Sequence, residues 1–148
     1  LRYRGYPIEQ LAEKSTHLEV SYLLLWGELP TQSQLDAWTS EITHHTYVHQ
    51  FILKNMEGYR WDAHAMGKMV GLLGNLSTFY DDSKRVRDPK VRRDHIVKLI
   101  AKMPTLAAWC FRHGLGRPYI YPDNSLDYCG NFLNMLFRMA EPAYAVNP

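Results

Sequence analysis

Histidines and the acidic residues beside them are the groups in this sequence that could carry out acid–base chemistry or bind a metal ion. His45 and His49 lie four residues apart, a spacing that puts both on one helical face and that zinc sites use. No third ligand with a suitable spacing accompanies them, so no metal site is predicted. Asp62 and His64 could form an acid–histidine pair, but side chains two residues apart diverge on a helix and are more typical of a turn and an N-terminal cap.

A basic segment, residues 84–93, is the other chemically suggestive feature. Its six cations, separated by Asp88 and followed by Asp94, favour a solvated linker. A phosphate-bearing ligand is the alternative, because Arg and Lys pair with phosphate oxygens. The net charge of +2 is too small to indicate a nucleic acid or a membrane surface as partner, and neither is predicted. No Gly-rich phosphate loop, nucleophile elbow or Cys–His signature occurs.

Composition indicates a folded helical domain, with 46% hydrophobic and 22% charged residues. Cys110 and Cys129 lie in apolar helical context without zinc spacing, which predicts two buried free thiols and a reducing compartment. No apolar run reaches the roughly 18 residues that would span a bilayer. The sequence begins at Leu1 and ends at Asn147-Pro148, and both ends are expected to be cut or processed.

Hydrophobic periodicity identifies the elements that would position these groups. Apolar residues recur every three to four positions, which predicts an all-α fold with at most one short extended segment, at residues 1–4. Pro7 is predicted at the first position of a helix, and Thr31 with Gln34 forms a capping-box pattern. Residues 18–26 are apolar on nearly all sides, which predicts a buried helix. A polar stretch, 81–94, should precede a helix that Pro104 kinks or restarts.

The predicted helix over residues 64–80 combines an apolar stripe with three glycines. The stripe consists of Met66, Met69, Val70, Leu73 and Leu76, and the glycines are Gly67, Gly71 and Gly74. Glycine costs a helix about 1 kcal/mol relative to alanine, so a compensating close approach to another helix is expected. That helix could belong to a second copy of the chain or to the same chain.

Motifs along the whole sequence resemble the citrate synthase family. Residues 1–12, LRYRGYPIEQLA, and residues 128–137, YCGNFLNMLF, carry the resemblance most strongly. Residues 18–31 are similar to the family's "LEVAYLLLxGELPT", 43–49 to "THHTxVH", 62–67 to "DAHPMG" and 102–105 to "KMPT". Ala65 replaces the usual proline of "DAHPMG". The pattern looks most like the type II bacterial or a related branch.

The resemblance implies a multi-helical, citrate synthase-like segment. Residues 1–148 would form the first part of the large domain, without the small domain, and the helices at 64–80 and 104–114 would form a homo-oligomer interface. The family is an acyltransferase that joins acetyl-CoA and oxaloacetate to give citrate and CoA. Its catalytic residues lie in segments that this sequence does not contain, so no catalytic residue and no cofactor are assigned, and the chain alone is expected to be inactive. The alternatives are a non-catalytic assembly or scaffold module and a segment of 2-methylcitrate synthase.

A regulatory site is also implied by the resemblance. In the hexameric bacterial branch, inhibitory NADH binds near the counterparts of six residues here, which are His44, His45, Tyr47, Tyr80, Lys98 and Lys102. His45, Tyr80 and Lys102 keep the branch's residue type, whereas His44 and Lys98 replace arginines. An allosteric nucleotide site at His45, Tyr80, Lys98 and Lys102 is therefore predicted. The resemblance implies the bacterial cytoplasm, or an organelle matrix in a eukaryote.

Overall fold

The computed structural model describes residues 1–146. Asn147 and Pro148, where the predicted partial large domain ends, lie outside the described residues. The elements, in chain order, are β1 Arg2–Tyr3, β2 Tyr6–Pro7, α1 Ile8–Lys14, α2 His17–Trp26, α3 Gln32–Thr43, α4 Phe51–Glu57, α5 Ala65–Ser77, α6 Pro89–Gly114 and α7 Tyr128–Phe137. The all-α prediction is confirmed. The elements fall into two compact units, one formed by residues 1–44 and one that begins at residue 45.

The first unit begins with a small antiparallel hairpin. Arg2 pairs with Pro7 and Tyr3 with Tyr6, and the turn between them places Arg4 and Gly5 at positive φ (50° and 93°), as tight hairpin turns require. The predicted extended segment is therefore two short strands. Pro7 is extended (φ −60°, ψ 135°) and precedes α1, so its predicted place at the first helical position is wrong.

Helices α2 and α3 both start with a capping box. The Thr16 N–H donates to the Glu19 carboxylate at 2.6 Å, and the Thr31 N–H donates to the Gln34 side chain at 2.8 Å. The box at Thr31 confirms the prediction. Such caps contribute about 1 kcal/mol each, because they satisfy backbone N–H groups that the first helical turn leaves unpaired.

The side chains of α2 are buried on one side only. Leu18 and Leu23 are buried, and the indole N–H of Trp38 on α3 donates to the Leu18 carbonyl at 3.2 Å. The exposed apolar side chains at the end of the helix are Leu24, Leu25 and Trp26. Full burial of this helix was a wrong prediction, because uniform hydrophobicity does not tell how many neighbours a helix has.

The second unit is built around the long helix α6. Helix α5 packs against both α4 and α6, and α7 packs against α6. The core between these helices consists of Ile52, Met56, Met69, Leu72, Leu76, Leu106, Trp109 and Cys110. Burying each large apolar side chain contributes roughly 1.5–3 kcal/mol.

Helix α6 is continuous across Pro104, so of the predicted kink or restart the restart does not occur. The missing N–H of Pro104 leaves the carbonyl of Ile100 without its helical donor. The Tyr128 hydroxyl donates to that carbonyl at 2.9 Å and takes the place of the missing N–H. The helix also starts earlier than predicted, since Asp88 caps it through the Lys90 N–H (3.0 Å) and Pro89 occupies the first turn.

Both cysteines are free thiols, as predicted, but only one is buried. Burial raises the pKa of the Cys110 thiol to about 11, which keeps it protonated and unreactive at neutral pH. Cys129 is exposed in the first turn of α7, so its predicted burial is wrong. Among residues 1–146 no helix is long and apolar enough to cross a membrane.

Candidate functional site

Lys102 lies at the centre of the predicted nucleotide site, in the middle of α6. Its ammonium donates to the carbonyls of His45 (2.7 Å) and Tyr47. The side chain is only 6% exposed. Burial, together with the nearby charge of Lys98, lowers the pKa of Lys102 to about 8. Lys102 therefore holds the segment before α4 against α6.

Tyr80 and Lys98 meet beside Lys102. The Lys98 ammonium lies 4.6 Å from the centroid of the Tyr80 ring, a cation–π distance. The ring also forms a T-shaped pair with His95, with centroids 5.7 Å apart, and His95 Nε2 lies 3.0 Å from an Asp82 carboxylate oxygen. Partial burial raises the pKa of Tyr80, so its hydroxyl stays protonated at neutral pH.

The structure thus brings the four predicted site residues into one cluster. Lys98 and Lys102 are one helical turn apart, Lys98 contacts Tyr80, and Lys102 binds the backbone of His45. The Tyr80 ring and the Lys98 ammonium could accept a planar or anionic ligand. The Lys102 ammonium already donates hydrogen bonds to two backbone carbonyls. Sequence analysis missed His95 and Asp82, which are 13 residues apart and become neighbours only because the chain turns between α5 and α6.

No metal-binding cluster of three suitable side chains forms among residues 1–146. His49 instead accepts a hydrogen bond from the Phe51 N–H at 3.1 Å and stacks on Phe79 with centroids 4.3 Å apart. His64 Nδ1 accepts from the Met66 N–H at 3.2 Å and caps α5, as predicted. Its sequence neighbour Asp62 accepts two hydrogen bonds from a single arginine, Arg60, at 2.6 and 3.0 Å.

Arg112 is a buried cation that sequence analysis did not identify. Its guanidinium donates to the Pro118 carbonyl and to the carbonyls of Leu136 (3.0 Å) and Arg138 (2.9 Å). These last two carbonyls lie at the C-terminal end of α7, where a helix leaves acceptors unpaired. Arg112 therefore joins α7 to α6 and serves the fold rather than a ligand.

The predicted apolar stripe of α5 belongs to two opposite faces. Met69 and Leu76 are buried in the core together with Leu72 and Lys68, whose ammonium donates to the Trp61 carbonyl at 3.1 Å. The other face is exposed and carries Met66 (62% exposed), Gly67, Val70 (68% exposed) and Gly74. At about 100° of rotation per residue, these four positions span about 100° of the helix surface.

The three glycines of α5 differ in what surrounds them. A Cβ at Gly67 or Gly74 would meet open space, whereas at Gly71 it would collide with the Tyr59 hydroxyl of the same chain. Gly71 therefore permits a contact within the chain, and the expectation that it marks a contact between two helices is wrong. Because Gly67 and Gly74 have no side chains, the backbone of α5 is accessible on its exposed face.

The fold assigns the chain to a structural class. It matches the crystal structure of citrate synthase from Pyrobaculum aerophilum with a TM-score of 0.84 and 30% identity, over 95% of this chain and 37% of that one. The class is therefore that of the citrate synthase-like helical proteins.

Sequence comparison narrows the class to a family. The family model described as "Citrate synthase, C-terminal domain" matches residues 1–147. The chain is 43% identical to a citrate synthase and 45% identical to a peroxisomal citrate synthase, both from Dictyostelium discoideum. Each alignment covers all of this chain, which spans 30% and 32% of the two relatives. The chain belongs to the citrate synthase family.

Proposed function

We propose that this chain supplies part of the helical framework of an acyl-CoA condensing enzyme that joins acetyl-CoA and oxaloacetate to give citrate and CoA. The observation that carries the proposal is the match of the family model to residues 1–147. The chain spans about a third of the length of its curated relatives. Its histidines at 49, 64 and 113 make contacts that hold the fold together. The reacting groups are proposed to come from other segments of the protein.

An activity assay of the isolated chain tests which part of the protein contains the reacting groups. The chain should release no CoA from acetyl-CoA in the presence of oxaloacetate. Measurable release would show that these residues contain the reacting groups. The alternatives, a scaffold module and a segment of 2-methylcitrate synthase, share this fold and differ in what the rest of the protein contributes.

Homo-oligomer formation is proposed through the helices at 64–80 and 104–114. Support comes from the exposed apolar face of α5 and from Phe111 and Leu115, which are exposed on and just after the last part of α6. Apolar side chains beside open glycines allow a second helix to approach closely. Such a face is stabilised when a second copy covers it.

A regulatory nucleotide site at His45, Tyr80, Lys98 and Lys102 is a second proposal, favoured by the clustering of these residues. Lys98 would pair with phosphate oxygens and the Tyr80 ring would contact an aromatic base. Titration calorimetry with NADH should detect binding that Lys98→Gln weakens and that Lys54→Gln, at an exposed position of α4, does not. Equal affinity in the two variants would reject the site.

The cellular compartment is also proposed from the family. One relative is named as peroxisomal, which supports an organelle matrix, and the bacterial cytoplasm is the alternative.

A further inference from the structure

Positive charge is concentrated on residues 84–93, which we name the basic edge. Over these ten residues the net charge is +5, although the whole chain carries only +2. The expectation that no membrane surface is a partner came from the whole-chain charge, which conceals this local excess. The segment covers the turn before α6 and the first residues of that helix.

Most of this charge is available to a partner. Asp88, the single carboxylate of the basic edge, is already occupied by the Arg85 guanidinium at 2.8 Å and by the cap of α6. Within residues 1–146, the side chains of four exposed cations of the basic edge make no hydrogen bond or ion pair, and these are Lys84, Arg87, Lys90 and Arg92.

An exposed aliphatic residue stands among these cations. Val86, between Arg85 and Arg87, is 57% exposed, whereas Val91 on the first turn of α6 is buried and anchors the segment to the unit. The basic edge contains no aromatic residue on which a nucleic-acid base could stack. Cations around an exposed aliphatic side chain fit the boundary between lipid headgroups and acyl chains.

We propose that the basic edge binds the surface of a membrane that contains anionic phospholipid. Its cations pair with headgroup phosphates, and Val86 enters the acyl boundary. A Lys or Arg near such a surface contributes about 1 kcal/mol, or about fivefold in affinity, so the four available cations together contribute roughly several hundredfold, which corresponds to weak and reversible adsorption.

Vesicle cosedimentation of the full chain tests this proposal. Vesicles of phosphatidylcholine with about 30% phosphatidylserine should bind the chain at low salt, because salt screens charges beyond about 10 Å at 0.1 M. Vesicles of pure phosphatidylcholine lack the anionic lipid and should not bind the chain. The double variant R87Q/K90Q should bind about 30-fold more weakly, from two contributions of about fivefold each. The double variant K14Q/K54Q removes the same charge from exposed sites elsewhere and should bind normally. Equal loss in the two variants, or no preference for anionic vesicles, overturns the proposal.

A second variant separates a membrane from a soluble polyanion. Val86→Ser should weaken vesicle binding about fivefold, as expected for withdrawing roughly one buried CH₂ group from the acyl boundary. The same variant should bind polyglutamate or duplex DNA as the parent chain does. If Val86→Ser leaves vesicle binding unchanged, or if either polyanion binds as tightly as the anionic vesicles at equal charge, the proposal of a lipid partner is wrong.

Discussion

The hydrogen bond from Tyr128 to Ile100 takes the place of the helical bond that Pro104 cannot make, and its contribution to stability can be tested by a double-mutant cycle. Tyr128→Phe leaves the Ile100 carbonyl without a donor, because Pro104 has no N–H to offer. Leaving this partly buried acceptor unpaired should cost about 1–3 kcal/mol, so the free energy of unfolding should fall by that amount. At neutral pH the hydroxyl is protonated and can donate, since burial raises the pKa of Tyr128 to about 12.

The Pro104→Ala background separates this explanation from a loss of packing. The alanine restores a backbone N–H that can donate to the Ile100 carbonyl, so the cost of Tyr128→Phe should fall to about 0.5 kcal/mol or less. Urea denaturation followed by circular dichroism measures all four proteins, and equal denaturant slopes are needed for the comparison. The matched control is Tyr121→Phe, which removes an exposed hydroxyl bonded to Gln50 and should cost less than about 0.5 kcal/mol. An identical cost of Tyr128→Phe in both backgrounds would refute the role of this bond.

Three further predictions concern the exposed face of α5, its glycines and the buried lysine of α6. Val70→Lys should shift sedimentation velocity from dimer to monomer, whereas Val86→Lys, at a similarly exposed position, should not; two unchanged profiles would exclude this face as the interface. Gly74→Ala should stabilise the chain by about 0.5–1 kcal/mol in thermal unfolding, because its Cβ meets open space. Gly71→Ala should be about 1–3 kcal/mol less stable than Gly74→Ala, because its Cβ collides with the Tyr59 hydroxyl, and equal effects would contradict the packing. The pKa of Lys102 is lowered to about 8 from an ordinary 10.5, so the unfolded chain binds more protons between these values. Stability relative to Lys102→Met should therefore rise as the pH increases from about 8 to 10.5, and a flat difference across that window would argue against a perturbed lysine.

Features encoded by neighbouring residues were predictable from the sequence, and features that depend on distant contacts were not. The cap at Thr31 needs only Gln34, three residues later, and was predicted. The donor that replaces the missing Pro104 N–H comes from Tyr128, which follows Pro104 by 24 residues, so the proline alone indicated a kink or a restart. Helix α5 has apolar residues on two faces, and periodicity cannot tell which face meets the core.

The candidate site, like the fold, was predictable from the sequence only in part. Family motifs marked the lysines of α6 and the residues expected to lie near them. Only the folded chain shows that Lys102 is occupied by the carbonyls of His45 and Tyr47, leaving Lys98 as the cation beside the Tyr80 ring.

A chimera measures most directly whether this chain is the framework of a condensing enzyme. The matching third of the Dictyostelium citrate synthase, to which the chain is 43% identical, would be replaced by residues 1–148. CoA release from acetyl-CoA and oxaloacetate would be compared with that of the parent enzyme and of the isolated chain. We expect turnover by the chimera and none by the chain alone. A folded chimera without turnover, or turnover by the isolated chain, would contradict this expectation.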